Sequence, residues 1–260
     1  MFNQTFPKEL IEFVAKTGFI TKETWVKYFF AGRKPRWTHQ AWADLARRGY
    51  LMPHPYPRIE NIYVLNRLNR LVRDFVHGQA ARPPAVPQID HDEILNHGLL
   101  RAERSELISQ WISEPELKAM GGREHQIKRA GRITKYPDAI VYLPRTIGDM
   151  PIAGDKPIAI ELELTLKSRR RYRQIMAAYG CMNHIRAVLF VTKAPVIERA
   201  IKENVIKTYF PTDQIKLGFM RLADWQGNLS EAAIEIDGKR QSWADFSGVH
   251  SFRTEGTAAA

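Results

Sequence analysis

Residues 158–165 read Ile-Ala-Ile-Glu-Leu-Glu-Leu-Thr, and no other run constrains the chain as strongly. Side chains alternate across a strand with period two. Ile158, Ile160, Leu162 and Leu164 therefore share one face, and Ala159, Glu161, Glu163 and Thr165 share the other. Two acids side by side in so apolar a strand are unusual, because a half-buried carboxylate is costly unless paired or metal-bound. Tyr136-Pro137-Asp138-Ala139-Ile140-Val141-Tyr142-Leu143 puts a further acid at the mouth of a second apolar strand. Between the two strands, Pro144, Gly148, Pro151, Gly154 and Pro157 mark residues 144–157 as a loop.

An antiparallel hairpin around that loop sets Leu143 opposite roughly Pro157. Counting back brings Asp138 opposite about Leu162, beside Glu161 and Glu163. Either element alone often marks nothing more than a solvated sheet face. Together, at this spacing, they favour a metal site of Asp138, Glu161 and Glu163. Three hard oxygen donors suit Mg²⁺ or Mn²⁺. Such an ion can generate hydroxide and stabilise the leaving oxygen of a phosphodiester.

The stretch that follows is strongly basic, with five cations in the seven residues 167–173. It reads as a helix with Tyr172, Met176 and Tyr179 on one face. Arg169 and Arg171 are placed to meet phosphate, the alternative being a solvated basic face. Ala187–Thr192 reads as a buried strand and 196–207 as the next helix. A helix from near Asp90-His91-Asp92-Glu93 through Leu107, then Trp111-Ile112, fills the preceding helix and strand. His91 could reach the site, although such a histidine is more often a cap or a packing residue.

The N-terminal part has a different rhythm. Leu10, Ile11, Phe13 and Val14 make one helical face, stopped by Gly18. Thr21 can cap a second helix through Phe30. A third helix spans about Trp37 to Arg48, and a final one about Leu68 to His77. Two short strands, 50–52 and 62–65, flank a Pro-rich tip that carries Arg58. Helix, helix, helix, hairpin is the arrangement of a winged helix-turn-helix. Basic and polar residues mark the ends of the third helix, and recognition helices enter the major groove N-terminus first. Lys34, Arg36, Thr38, Gln40, Arg47, Arg48 and Arg58 are the candidate DNA-binding residues, with His39 beside them. The alternative is a protein-contact module with a solvated charged face. The net charge of +11 in 260 residues favours the polyanion.

Pro83-Pro84-Ala85-Val86-Pro87 cannot continue a helix. It divides the chain into a domain at 1–78, a linker at 79–90, a second domain at 91–248 and a flexible tail at 249–260. The single cysteine, Cys181, argues against a disulfide framework or a Cys-based zinc site. No apolar run approaches the roughly 20 residues of a membrane span. No secretion signal is seen at the N-terminus. A cytoplasmic protein with no membrane insertion is the expectation.

Pro137-Asp138 followed by Glu161-x-Glu163 is similar to the PD-(D/E)XK motif of restriction-type nucleases. The resemblance implies an α/β restriction-endonuclease-like domain with a mixed sheet, joined here to the N-terminal α+β winged helix. It implies that Asp138 and Glu161 hold the metal. The motif lysine is replaced by Glu163, which either adds a ligand or leaves the charge to Lys167, four residues on. The winged helix, His91-Asp92, Tyr136-Pro137-Asp138 and Glu161-Leu162-Glu163-Leu164-Thr165-Leu166-Lys167-Ser168, ending in Arg171-Tyr172, together resemble the MobC family of plasmid mobilisation relaxases and the wider replication–relaxation group, over about residues 8 to 210.

That resemblance implies a DNA-nicking enzyme acting at a plasmid transfer origin, with an accessory mobilisation protein and a coupling protein as partners. A homodimer is compatible with it. Two alternatives stay open: a non-cleaving DNA-binding regulator of replication or mobilisation, and a restriction-type or transposon-type endonuclease. Tyr172 is the candidate for a covalent link to DNA. Its apolar companions Met176 and Tyr179 favour instead hydrolysis by metal-bound water, with Asp138, Glu161, Glu163 and Lys167 as the catalytic set.

Overall fold

The computed structural model describes residues 7–54, 61–77, 79–120, 127–129, 132–144, 156–206, 208, 210–212, 214–236 and 238–243. The side chains of 127–135 and of residue 206 are outside this description. The chain forms two compact units, Met1–Glu93 with Ser113–Gly122, and Ile94–Ile112 with Arg123–Ala260.

The first unit opens with α1 (Lys8–Thr17), which buries Leu10, Ile11, Phe13 and Val14. Gly18 ends it with φ 87°, and its N–H donates to the Val14 carbonyl at 2.9 Å. A Cβ at Gly18 would meet the Arg82 carbonyl oxygen at 2.4 Å, so glycine is required there on two counts. After β1 (Ile20–Thr21), the Thr21 hydroxyl accepts from the Thr24 N–H and caps α2 (Lys22–Thr24). The helix then widens into a π turn at Trp25–Phe29, which the sequence reads simply as α-helix. Next come α3 (Pro35–Arg47), β2 (Leu51–Pro53), β3 (Ile62–Leu65) and α4 (Arg70–Val76). The three strands pair antiparallel in the order β1-β3-β2. Trp42 joins the helices to the sheet, with ring centroids 5.6 Å from Trp25 and 4.6 Å from Tyr63.

Residues 79–90, expected as a linker, instead pack as part of this unit. Ala80 and Ala81 are buried. The Ala81 N–H donates to the Ala15 carbonyl at 2.6 Å, and Arg67 donates to the carbonyls of Ala80 and Ala81 at 2.8 and 2.6 Å. Prolines lack N–H donors but leave extended neighbours free to pair with other elements, so a Pro-rich segment can be a strap. The chain change from one unit to the other falls within α5 (Ile89–Arg104). After β4 (Gln110–Ser113) the chain returns to the first unit for α6 (Glu114–Ala119), capped by Ser113.

The second unit is built on a seven-stranded sheet with β4 at one edge. A separate antiparallel ribbon, β5 (Ile127–Arg129) and β6 (Arg132–Lys135), precedes β7 (Ala139–Tyr142) and β8 (Ile158–Glu163). Then follow α7 (Arg169–Tyr179), β9 (Ala187–Thr192), α8 (Pro195–Ile206), β10 (Lys216–Arg221), α9 (Leu222–Gln226), β11 (Ala233–Ile236) and β12 (Lys239–Ser242). β8, β9 and β10 run parallel; β7, β11 and β12 pair antiparallel to β8, β10 and β11. Every residue of β8 and β9 is buried, as expected of central strands covered on both faces. Gly98 of α5 lies under Trp225, where a Cβ would come within 2.0 Å of the indole. The Trp225 Nε1–H donates to the Ile94 carbonyl at 3.2 Å, which locks α9 onto α5. Among the described residues no helix is long and apolar enough to cross a membrane. The tip carrying Arg58, the loop 145–155 and the tail 249–260 lie outside the described residues.

Candidate active site

The site lies where β8 ends and β7 begins. The pairs Ala139↔Ile160 and Val141↔Ile158 set the register. Continued by one residue, they carry Asp138 to Glu161, one step from the expected partner Leu162. By the same register Leu143 falls level with Lys156 rather than Pro157. Asp138 turns its carboxylate onto the neighbouring strand, where Oδ2 accepts from the Leu162 N–H at 2.8 Å.

The two β8 acids are buried far more deeply than an alternating strand demands. Glu161 is 0% exposed and Glu163 1%. Each has a different partner. The Tyr179 hydroxyl donates to Glu161 Oε1. The Lys167 ammonium donates to Glu163 Oε1 at 2.5 Å. Glu163 Oε2 is buried and has no hydrogen-bond partner among the described residues. Such a group keeps its full desolvation cost. Three acidic groups thus sit along one short edge, with one cation reaching in from the turn after β8.

α7 supports this arrangement from beneath. Ser168 caps it by accepting from the Arg171 N–H. Tyr172 and Tyr179, seven residues apart, lie on one face. The Tyr172 hydroxyl accepts from the Lys167 N–H at 3.2 Å and so braces the turn that delivers Lys167. Burial raises the Tyr172 phenol above its usual value; the Lys167 N–H opposes the rise and the Glu163 charge adds to it. Burial raises Tyr179 much further, helped by the charge and hydrogen bond of Glu161 and by the charges of Asp138 and Glu163. A wholly buried, strongly protonated phenol is a hydrogen-bond donor and a poor nucleophile. Tyr172, the candidate for a covalent link, is 0% exposed.

Among the described residues, no three His, Cys, Asp or Glu side chains stand grouped as a ready-made metal site. The expected set of Asp138, Glu161 and Glu163 is adjacent, but its carboxylates are turned to Leu162, Tyr179 and Lys167. His91 is partnered within the first unit, with Nδ1 2.9 Å from Gln88 Nε2 and 3.0 Å from Asp92 Oδ1.

Lys34, Arg36, His39 and Gln40 are exposed at the start of α3. Arg47 and Arg48 are exposed at its end, both paired with Asp44, the latter at 3.2 Å. Thr38 departs from expectation. It is 3% exposed, and its hydroxyl donates to the Lys34 carbonyl at 3.4 Å, so it belongs to the helix rather than the surface. Trp37, which sequence reasoning places merely at the helix start, is 45% exposed among these cations. Its signal was legible: Gln40 and Ala41 lie at helical spacing from it, outside the apolar stripe of Trp42 and Leu45. Arg169, Arg170 and Arg171 are exposed on α7.

Comparison of the chain with protein-family models, with curated proteins and with solved structures returned no match.

Proposed function

We propose that this chain is a metal-dependent DNA-nicking enzyme, with a DNA-reading first unit and a PD-(D/E)XK-like second unit. The carrying observation is the buried edge of Asp138, Glu161 and Glu163, with Lys167 on one oxygen of Glu163 and the other oxygen unpartnered. A structural ion pair alone leaves that buried oxygen unexplained, whereas a cation would satisfy it. The donors are all hard carboxylate oxygens and fit Mg²⁺ or Mn²⁺. Asp138, Glu161 and Glu163 would hold the ion. Bound there, it would supply Lewis acidity and a water activated at neutral pH.

The chain's own groups have separate tasks in this reading. Tyr179 fixes one oxygen of Glu161. Lys167 shields Glu163 and presents positive charge to a phosphoryl oxygen. Arg169 and Arg171 draw the backbone in, while Lys34, Arg36 and Gln40 hold the duplex. The burial of Tyr172 favours hydrolysis over a covalent phosphotyrosine. The more specific reading, a MobC-type relaxase acting at a plasmid transfer origin with accessory and coupling proteins, rests on the resemblance over about residues 8–210.

A second reading has its own support. Glu163 stands at the position of the motif lysine, and the three acids are not grouped for a ligand; both favour a regulator that binds without cutting. Supercoiled plasmid incubated with the protein and Mn²⁺, or with EDTA, separates them. Open circles formed only with Mn²⁺ support the nickase. Binding without nicking moves the assignment to the regulator, and linear product moves it to a restriction-type enzyme.

A further inference from the structure

We propose that the second unit carries a groove over β10 and β11 that binds a phosphodiester backbone beside the acidic edge. The identity of that backbone as the strand being cut rests on the nuclease reading above; the groove itself does not.

The sheet register carries the case. Glu161 pairs with Phe190, Phe190 with Phe219, Phe219 with Glu235, and Glu235 with Arg240, a single row across five strands. Residues in one row project to one face. The contacts agree: the Phe190 and Phe219 rings stack at 5.8 Å, and the Lys202 ammonium lies 4.8 Å from the Phe219 ring and 2.6 Å from Glu235. The next row, Glu163, Thr192 and Arg221, runs along the C-terminal ends of the parallel strands. The face that carries both acids therefore continues sideways, past α8, into an open groove of about 920 Å³ floored by Phe219 and Glu235. One end is closed by the turn after β9. The N–H of Lys193 in that turn donates to the Glu163 carbonyl at 3.0 Å, tying groove and acid strand together.

The charges select the ligand. Lys202 is occupied by Glu198 and Glu235, at 2.6 Å each. Among the described residues, Lys193, Arg199, Arg221 and Arg240 line the groove without an ion-pair partner. Glu203 and Asp224 are the unpaired acids there, so unpaired cations outnumber acids by four to two. The cations do not converge on one point. They are spread from the end of β9, along α8 and the end of β10, to β12, which lies two strands from β10, about 10 Å across the sheet. A compact anion needs converging donors. A polymer with one charge per repeat suits a dispersed array.

The test uses the full chain in EDTA, a fluorescein-labelled duplex oligonucleotide, and anisotropy at several salt concentrations. The triple variant Arg199→Gln, Arg221→Gln, Arg240→Gln alters exposed side chains only. It should lose about tenfold or more in affinity, and its salt slope should flatten by about 2–3. Lys216→Gln, at the opposite end of β10, is the control for general charge. A loss per charge no greater than that of Lys216→Gln overturns the groove. Plasmid nicking is measured in parallel. If the wild type does not nick but the triple variant still loses affinity, the nuclease reading falls and the groove stands. If the wild type nicks and the triple variant binds normally, the groove alone falls.

Discussion

The Tyr179 hydroxyl donates to Oε1 of Glu161, and both side chains are closed to solvent. A buried carboxylate that loses a donor retains its desolvation cost, about 1–3 kcal/mol. Tyr179→Phe should lower unfolding stability in urea by about that amount. In a double-mutant cycle with Glu161→Gln, the coupling should be about 1 kcal/mol or more. Additive losses would mean that the hydrogen bond contributes nothing in solution.

Lys167 and Glu163 should be coupled in the same manner. Breaking a wholly buried pair costs about 3–5 kcal/mol. Lys167 keeps 32% of its side chain exposed, so solvent screens part of the interaction. We expect Lys167→Met to cost about 2 kcal/mol. Nicking should fall with it. Unchanged stability together with unchanged nicking would sink both the ion pair and the assigned role.

Asp138→Ala and Glu161→Ala should abolish nicking with little effect on DNA affinity, because removing acids does not weaken contacts to phosphate. Nicking at the wild-type rate in either variant shows that the site is misassigned.

On the first unit, Arg36→Ala should weaken DNA binding and reduce the salt slope by about one unit. Arg47→Ala should do less, because Asp44 already holds that guanidinium. Equal effects from the two would remove the distinction between the two ends of α3.

Glu93 supplies a pH signature independent of catalysis. Burial raises its carboxyl above the ordinary value of 4.5; hydrogen bonds from Thr21 and Thr24 oppose the rise, and the charges of Glu23 and Asp90 add to it. A raised folded-state value means that stability is fully present below the ordinary carboxylate range. It is lost as pH climbs through the raised value. Glu93→Gln should flatten the fall in stability above pH 4.5, measured by denaturant titration at successive pH values. An identical slope in wild type and variant would refute it.

The strands that carry the acids were legible because their apolar periodicity and punctuation are local signals. Ile62–Leu65 and Ala187–Thr192 fall at their expected bounds for the same reason. Depth of burial was not legible. Glu161 and Glu163 alternate with apolar residues as a half-exposed strand would, and only the covering helices make that face interior. The Pro-rich segment reads as a linker because its tertiary hydrogen bonds, to Ala15 and from Arg67, involve residues far off in sequence. The groove escaped notice for a similar reason. Arg199, Arg221 and Arg240 sit on three separate elements, and only the packing of α8 beside the sheet, together with the sheet register, sets them around one groove.

The first unit is closed by a segment that returns after residue 112. Ser113 donates from its hydroxyl to the Lys16 carbonyl at 2.5 Å, and Leu117 is 1% exposed. A truncation at 78, the obvious cut from the sequence, removes both this segment and the strap over Ala15. Modular swapping of the first unit by a simple N-terminal fusion is therefore closed to this architecture. Any recombination that exchanges first units between such chains must carry three crossover points, after residues 93, 112 and 122. A single crossover would leave each hybrid first unit without its own closing segment.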